Sequence, residues 1–500
     1  MAAQQHPAVP DPAAPGPSAP GPSASGPEAP PTPGGDEGYA RGLGGRQVQM
    51  IAIGGAIGTG LFLGAGTAIH RAGPSLLLCY AVAGAVVFCI MRALGELLTY
   101  RPVSGSFAEY AREFLGPFAG FATGWTYWLM WVVTGMAEVT AAAVYIHYWA
   151  PAVPQWASAL LFLLLLYAAN LISVQLFGEI EFWFSLVKVT AIVGMILIGV
   201  GVLTLGLGKA ADTASVSHLW ADGGLFPAGV GSSLMTLQIV LFAYLGVELV
   251  GVTAGESRDP QRTLPRAINT LPLRIGVFYI GALLVILSLV SWREFQPGVS
   301  PFVAVFGRVG IPAAGGIVNF VVLTAALSSC NSGMYSTGRM LRDLALKGQA
   351  PGAVTRLNAR RTPAAAVTVS ALLMGVGVLL NYTAPAKAFL YITSVATVAA
   401  IWTWSVVLVC QLRYRSAYRA GRLPAPTFRA PGSPWTGWAA LGFLALVTVL
   451  IGIDREARVG LYVFPAWLLL LTGGYAVLRR RNPAAVAAHG EQRSALLGET

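Results

Sequence analysis

The sequence predicts an all-α, polytopic membrane protein of about twelve transmembrane helices, and three observations carry that prediction. Of 500 residues, 55% are hydrophobic and only 11% charged, with a mean hydropathy of +0.65. This balance excludes a water-soluble domain. Apolar stretches recur near 48–69, 75–99, 118–148, 156–174, 183–207, 229–254, 267–292, 313–338, 364–383, 388–411, 436–453 and 459–478. Crossing a hydrocarbon core takes roughly 20 such residues. The basic residues, finally, sit in short segments between these stretches, where Lys and Arg set orientation. The net charge of +11 therefore does not point to nucleic acid.

Taken in chain order, residues 1–40 form a Pro/Ala/Gly-rich tail without Lys, Arg or an apolar run. A signal peptide needs a basic start and a hydrophobic core, so this composition predicts a disordered tail. The first span then carries Gly54, Gly55, Gly58 and Gly60 within seven residues. Each glycine costs a helix interior roughly 1 kcal/mol relative to alanine, an expense that a plain anchor has no reason to repeat. A helix built to break in mid-membrane does, because the break frees backbone groups, and free groups are tolerated only where they line a cavity. Glycine-interrupted spans are a sequence pointer to the binding site of a secondary transporter.

Arg92 and Glu96, four apart at the end of the second span, are expected to pair locally. The Ser104–Phe114 stretch reads as an amphipathic helix lying on the membrane. The third and eighth spans run long, so they tilt or protrude. Lys188 falls inside the fifth span, where a basic residue costs roughly 2.5–3.5 kcal/mol on insertion scales. The sixth span repeats the oddity of the first, with Gly246, Glu248 and Gly251 inside an apolar run. Spans one and six are each the first of five. That suggests a core over 41–411 built as an inverted repeat of five plus five helices. A loop and two accessory helices follow over 412–480, and a short tail over 481–500.

An even helix count places both termini on one side. With the termini inside, the inner segments carry most of the basic residues, including Arg258, Arg262, Arg413, Arg415 and Arg479–Arg481. The outer ones carry only Arg71, Lys209, Arg293, Arg308, Lys387, Arg455 and Arg458. The imbalance predicts cytoplasmic termini. Cys79, Cys89, Cys330 and Cys410 all lie in apolar segments and read as small buried hydrophobes. His70, His147 and His218 are scattered without metal-ligand spacing, so no metal or cofactor is expected.

At this point the motifs converge. Gln49–Phe62, Met91-Arg-Ala-Leu-Gly-Glu96, Ser104-Gly-Ser-Phe107, Gly178–Phe184 with Lys188, Gly246–Gly251 and Ala325–Gly333 occur in order along the chain. Over roughly residues 40–480 the chain resembles the bacterial amino acid permeases of the amino acid–polyamine–organocation superfamily. The segments Thr123–Glu138 and His218–Gly224 look most like permeases for D-serine, D-alanine and glycine. Asn381-Tyr382 and Cys410–Arg415 look more like asparagine permeases. The resemblance implies a LeuT-like fold with two extra C-terminal helices, in the cytoplasmic membrane of a bacterium. Its usual activity is proton-coupled uptake of amino acids, here small neutral ones such as alanine, serine, glycine or asparagine.

The resemblance also implies a site. An amino acid zwitterion needs two opposite partners, and the N–H groups of Thr59 and Gly60, with Gly58 giving the turn, would meet the carboxylate at the positive end of a half-helix. The carbonyls of Ala56, Phe242, Ala243 and Leu245 would meet the ammonium, with Phe242 and Tyr244 as rings beside the second break. Lys188 resembles a lysine whose ammonium replaces a sodium ion next to the first helix, and a buried lysine can load and release a proton. Glu138 and Glu248 are the acidic candidates for proton coupling, and Glu256 a charge at the inner mouth. Ser328, Ser329, Asn331 and Ser332 read mainly as polar glue between helices. No phosphate-binding Gly-x-x-x-x-Gly-Lys-Ser/Thr loop occurs. An exchanger of other specificity, or a non-transporting receptor of the same fold, are the competing readings. An enzyme is not expected, since no nucleophile–base pair is evident.

Overall fold

The computed structural model describes residues 57–103, 105–172, 174–207, 209–252, 260–307 and 313–481. The expectations for Gly54, Gly55, Ala56, Ser104, Glu256 and the two tails lie outside these residues.

Every regular element among the described residues is helical, as the apolar runs predict. The first is α1, residues 60–72, which winds as a wide π turn over Gly60–Gly64 and continues as an α-helix over Ala65–Ala72. The chain turns at Gly73, whose φ is +62°. Then come α2 (Leu76–Tyr100), α3 (Ser106–Leu115), α4 (Pro117–His147), α5 (Gln155–Ile172) and α6 (Val174–Leu205). The second half holds α7 (Gly229–Ala243), a short α8 (Leu249–Val252), α9 (Gln261–Leu289), α10 (Pro301–Phe306) and α11 (Ala314–Leu346). The last are α12 (Ala364–Thr383), α13 (Pro385–Arg419), α14 (Trp435–Ile453) and α15 (Val459–Arg481). Among the described residues ten helical stretches are long and apolar enough to cross a membrane; the first of them, Gly60–Tyr100, holds both α1 and α2. The sixth expected span is the shorter apolar helix α7. Helix ends differ from the expected ones chiefly where a helix outruns its apolar stretch, as α11 does by eight residues, since Met340, Leu341, Leu344 and Ala345 of its last turns are buried in protein between charged residues.

The buried side chains form one large core around α4, which is covered along nearly its whole length, whereas α14 and α15 are largely exposed at the periphery. Those two helices are tied to the core at both ends. At one end, Arg71 of α1 bridges Asp454 (2.7 Å) and Glu456 (3.3 Å) in the α14–α15 loop. At the other, Arg415 of α13 grips the fully buried Glu96 through two 2.7 Å bonds, and the Ala430 N–H donates to the same carboxylate at 2.7 Å. The expected Arg92–Glu96 pair is therefore replaced. A two-point guanidinium fork plus a backbone donor satisfies a buried carboxylate better than one neighbour on the same helix. Arg92 donates instead to Asn269 (2.6 Å) and to the Arg429 carbonyl, and stacks on Phe428. Removing one charge of a buried pair costs about 3–5 kcal/mol. Glu96→Gln is thus expected to lower the thermal unfolding midpoint in detergent clearly, and an unchanged midpoint contradicts the clamp.

α3 corrects a second expectation. It is amphipathic, but its apolar face lies against protein rather than on a lipid surface. Phe107 stacks on Tyr127 of α4 (4.6 Å), the Tyr110 hydroxyl donates to the Arg101 carbonyl (2.6 Å), and Ser106 donates to the Gly251 carbonyl (3.2 Å). A polar knot fixes the other face: Lys347 reaches Glu109 (2.6 Å) and Asp343 (2.7 Å), and Arg112 reaches Glu109 (3.3 Å). Burial works to raise the Glu109 pKa, but Lys347 and Arg112 outweigh it and hold it below the ordinary glutamate value. With the folded value depressed, this contribution is present above the unfolded pKa of about 4.3 and is lost as pH falls through the lower folded value. Below about pH 4, hydrogen exchange of the Ser106–Leu115 amides, corrected for intrinsic rates, should rise faster than that of α4. Equal protection at pH 7 and pH 3 counts against the knot.

Candidate functional site

One helix starts and another is interrupted in the interior, and the two places touch. Ile57 and Gly58 form a bend, helical geometry begins at Thr59, and the first N–H groups of any helix lack intrahelical partners. α7 stops at Ala243, and the chain turns through 244–248 before α8 resumes. Gly246 takes φ +100°, a conformation natural only to glycine. Its N–H donates to Glu248 Oε2 at 3.0 Å, which closes the turn. A Cβ on Gly60 would lie 2.4 Å from Ala243 Cα, so the two backbones approach with no room for a side chain between them.

Gly58, Thr59 and Gly60 stand at the start of α1, all but Gly58 fully buried. Phe242 is buried on the last turn of α7 and packs edge-on to Phe389 of α13 at 6.0 Å. The Ala243 carbonyl already accepts from the Tyr279 hydroxyl (3.0 Å), and the Phe242 carbonyl from the Leu245 N–H (3.0 Å), leaving each one lone pair. Tyr244 turns away from the break, with its hydroxyl on the Tyr80 carbonyl (2.8 Å) and its ring against Tyr80 and Tyr279. That placement makes it a packing residue of α2 and α9 rather than a cover over the gap. Leu245 is buried in the turn itself.

Glu138 of α4 lies against the start of α1. Its Oε1 is 2.9 Å from where a Gly58 Cβ would be, and Ser329 of α11 lies on the same side. Thr59 also faces the Glu138 carboxyl with its hydroxyl and its N–H, although neither Glu138 Oε2 nor Thr59 Oγ1 completes a hydrogen bond among the described residues. Glu248 Oε1 and Trp404 Nε1, which face each other, are likewise buried and complete no hydrogen bond among the described residues, nor does either amide atom of Gln238. A buried polar atom left unpaired costs about 1–3 kcal/mol.

Lys188 is fully buried rather than snorkelling. Its ammonium donates to Ser328 Oγ (3.0 Å) and to the Ile57 carbonyl in the bend before α1 (3.4 Å). Ser328 donates onward to Glu181 Oε2 (2.8 Å), and Ser185 donates to Glu181 Oε1 (3.3 Å). Asn331 accepts from Asn170 of α5 at 2.9 Å, the interhelical glue expected of that polar run. Sequence reasoning passed over Glu181 and Gln238. The signal for Glu181 was available: opposite charges seven residues apart stand two turns apart on one face of an apolar helix. Gln238 gave none, because only the packed structure shows that its amide has no partner.

Apolar helices long enough to span a membrane, packed around a buried lysine and three buried carboxylates, fit a multi-pass membrane protein of the transporter class. The chain belongs to the amino acid permease family, whose model matches residues 47–487. It is 46% identical over 453 residues to the L-asparagine permease of Salmonella typhimurium, covering 89% of this chain and 90% of that one. It is 45% identical over 449 residues to the amino-acid permease AapA of Bacillus subtilis, covering 90% and 97%. It is also 44% identical over 454 residues to the L-asparagine permease of Streptomyces coelicolor, covering 90% and 93%. Amino acid transport across a membrane, and not enzymatic turnover, is the activity of this family.

Proposed function

We propose that the chain is a proton-driven importer of small neutral amino acids, with asparagine ahead of alanine, serine and glycine. The contact between Gly60 and Ala243 carries this reading, since it sets the start of one half-helix beside the end of another. In this reading Thr59 and Gly60 hold the substrate carboxylate, with Gly58 giving the turn. The remaining lone pairs of Phe242 and Ala243, with the Ala56 and Leu245 carbonyls, receive the ammonium, and Phe242 covers it. Two of the relatives are named asparagine permeases, which supports a small polar side chain.

Coupling follows from charge. Glu138 lies where the substrate carboxylate is to bind, and two carboxylates sharing one site cannot both stay ionised. Substrate arrival therefore favours a proton on Glu138, so the two enter together. Lys188 holds the start of α1 through the Ile57 carbonyl and biases it by a charge that it gains and loses with a second proton, while Glu248 fixes the turn after α7. The core of 41–411 carries these groups, the termini face the cytoplasm, and the membrane is the bacterial cell membrane.

The test is uptake of labelled amino acids by proteoliposomes, with and without an inward proton gradient. Asparagine should accumulate only with the gradient, and unlabelled alanine, serine and glycine should compete better than lysine or glutamate. Best competition by lysine or glutamate overturns the substrate assignment, and accumulation indifferent to pH overturns the coupling.

A further inference from the structure

We infer that Glu181 is the second station of a proton path, receiving the Lys188 proton through the Ser328 hydroxyl. The inference rests on the coupling role proposed for Lys188 and adds the route by which its proton leaves.

The groups form one unbroken chain. Lys188 Nζ donates to Ser328 Oγ at 3.0 Å, and Ser328 donates to Glu181 Oε2 at 2.8 Å. All three side chains are fully buried, as is Ser185, which donates to the other carboxylate oxygen at 3.3 Å. The orientation is already that of a relay. As Lys188 gives a proton to Ser328 Oγ, the hydroxyl proton passes to Glu181 Oε2. The lysine becomes a neutral amine, the serine ends unchanged, and the glutamate becomes a neutral acid. No co-reactant is needed, and a buried ion pair becomes two neutral groups, which suits a medium that penalises charge. The charged groups facing the path are Glu181 on the same helix and Glu138 on α4.

Position gives the path a direction. Seven residues of helix amount to about 10 Å of rise, and Glu181 lies toward the N-terminal end of α6. That end is cytoplasmic under the proposed orientation. A salt bridge with only a packing role would need neither the intervening serine nor its single donor direction. The hydroxyl also links the path to α11, so a shift of α11 against α6 would open or close it.

The experiment compares Glu181→Gln, Ser328→Ala and Ser328→Thr with Lys188→Ala in reconstituted vesicles. Readouts are gradient-driven accumulation, counterflow without a gradient, and the pH profile of uptake. Glu181→Gln keeps size and hydrogen bonding but cannot accept a proton. It should lose at least tenfold in accumulation and flatten the pH profile while counterflow stays within twofold of wild type. Ser328→Ala should behave alike, and Ser328→Thr, which restores the hydroxyl, should recover accumulation. If Lys188→Ala uncouples while Glu181→Gln accumulates with a wild-type pH profile, the relay is wrong and the Lys188 reading stands. Should Lys188→Ala itself remain coupled, the underlying reading fails as well. Loss of counterflow together with accumulation in both Glu181→Gln and Ser328→Thr would make the chain structural and overturn the relay.

Discussion

Gly60→Val is expected to abolish substrate binding while leaving membrane insertion intact. A Cβ at this position meets Ala243 Cα at 2.4 Å and its N and Cβ at 2.9 Å, and backbone cannot give way as a side-chain tip can. The two half-helices must part by a sizeable fraction of an ångström. Misplacement of about 1 Å between groups that must act together costs on the order of 100-fold. Gly60→Ala sharpens the test, because helix propensity alone favours alanine over glycine by about 1 kcal/mol, whereas the contact distance says that its Cβ already collides. Binding measured by scintillation proximity on well-expressed, monodisperse protein should fall at least about 100-fold in the valine variant and clearly in the alanine variant. Wild-type affinity in both removes the two breaks as the substrate site.

The second large effect is expected at Lys188. Lys188→Ala should lose concentrative uptake altogether while retaining counterflow. An imposed difference of one pH unit drives about tenfold accumulation for one coupled proton. The variant should therefore drop from such a ratio to about one. The lysine touches the Ile57 carbonyl, not the N–H groups beyond the bend, so its loss leaves the binding surface in place. A change of state follows a ligand only through its differential interaction with the two states. Removing the ammonium removes the charge through which a proton biases the first break. Accumulation equal to wild type would make Lys188 a structural residue and leave Glu138 or Glu248 as the proton site.

Much of this molecule is legible without coordinates. The break in the sixth span can be read from Gly246 and Gly251 flanking Glu248, and the helix start after Gly58 from the glycines clustered there, because glycine repeated within an apolar helix has few other uses. Lys188 stands out since a cation inside a membrane helix needs a reason. The amphipathic character of α3 is equally plain in its residues, yet what covers its apolar face is not. Periodicity states that a face must be buried and is silent on whether lipid or protein does it, and here Tyr127 and Gly251 do so. In the same way, spacing offers Glu96 a partner four residues away, but Arg415, 319 residues distant, takes it.

Reading the residues alone was enough for the helical class, the order of the spans, the interruption after α7 and the presence of a buried lysine. These are consequences of local composition acting in an apolar solvent. The tertiary structure alone decided which groups meet: Gly60 with Ala243, Glu138 with Thr59, and Lys188 with Glu181 through Ser328. It also turned Tyr244 into the α2–α9 packing and left Gln238 unpartnered. The physical reason is that hydrogen bonds and ion pairs between distant helices depend on rotation and register of each helix about its axis. Packing of the whole bundle sets those quantities, and no single span encodes them.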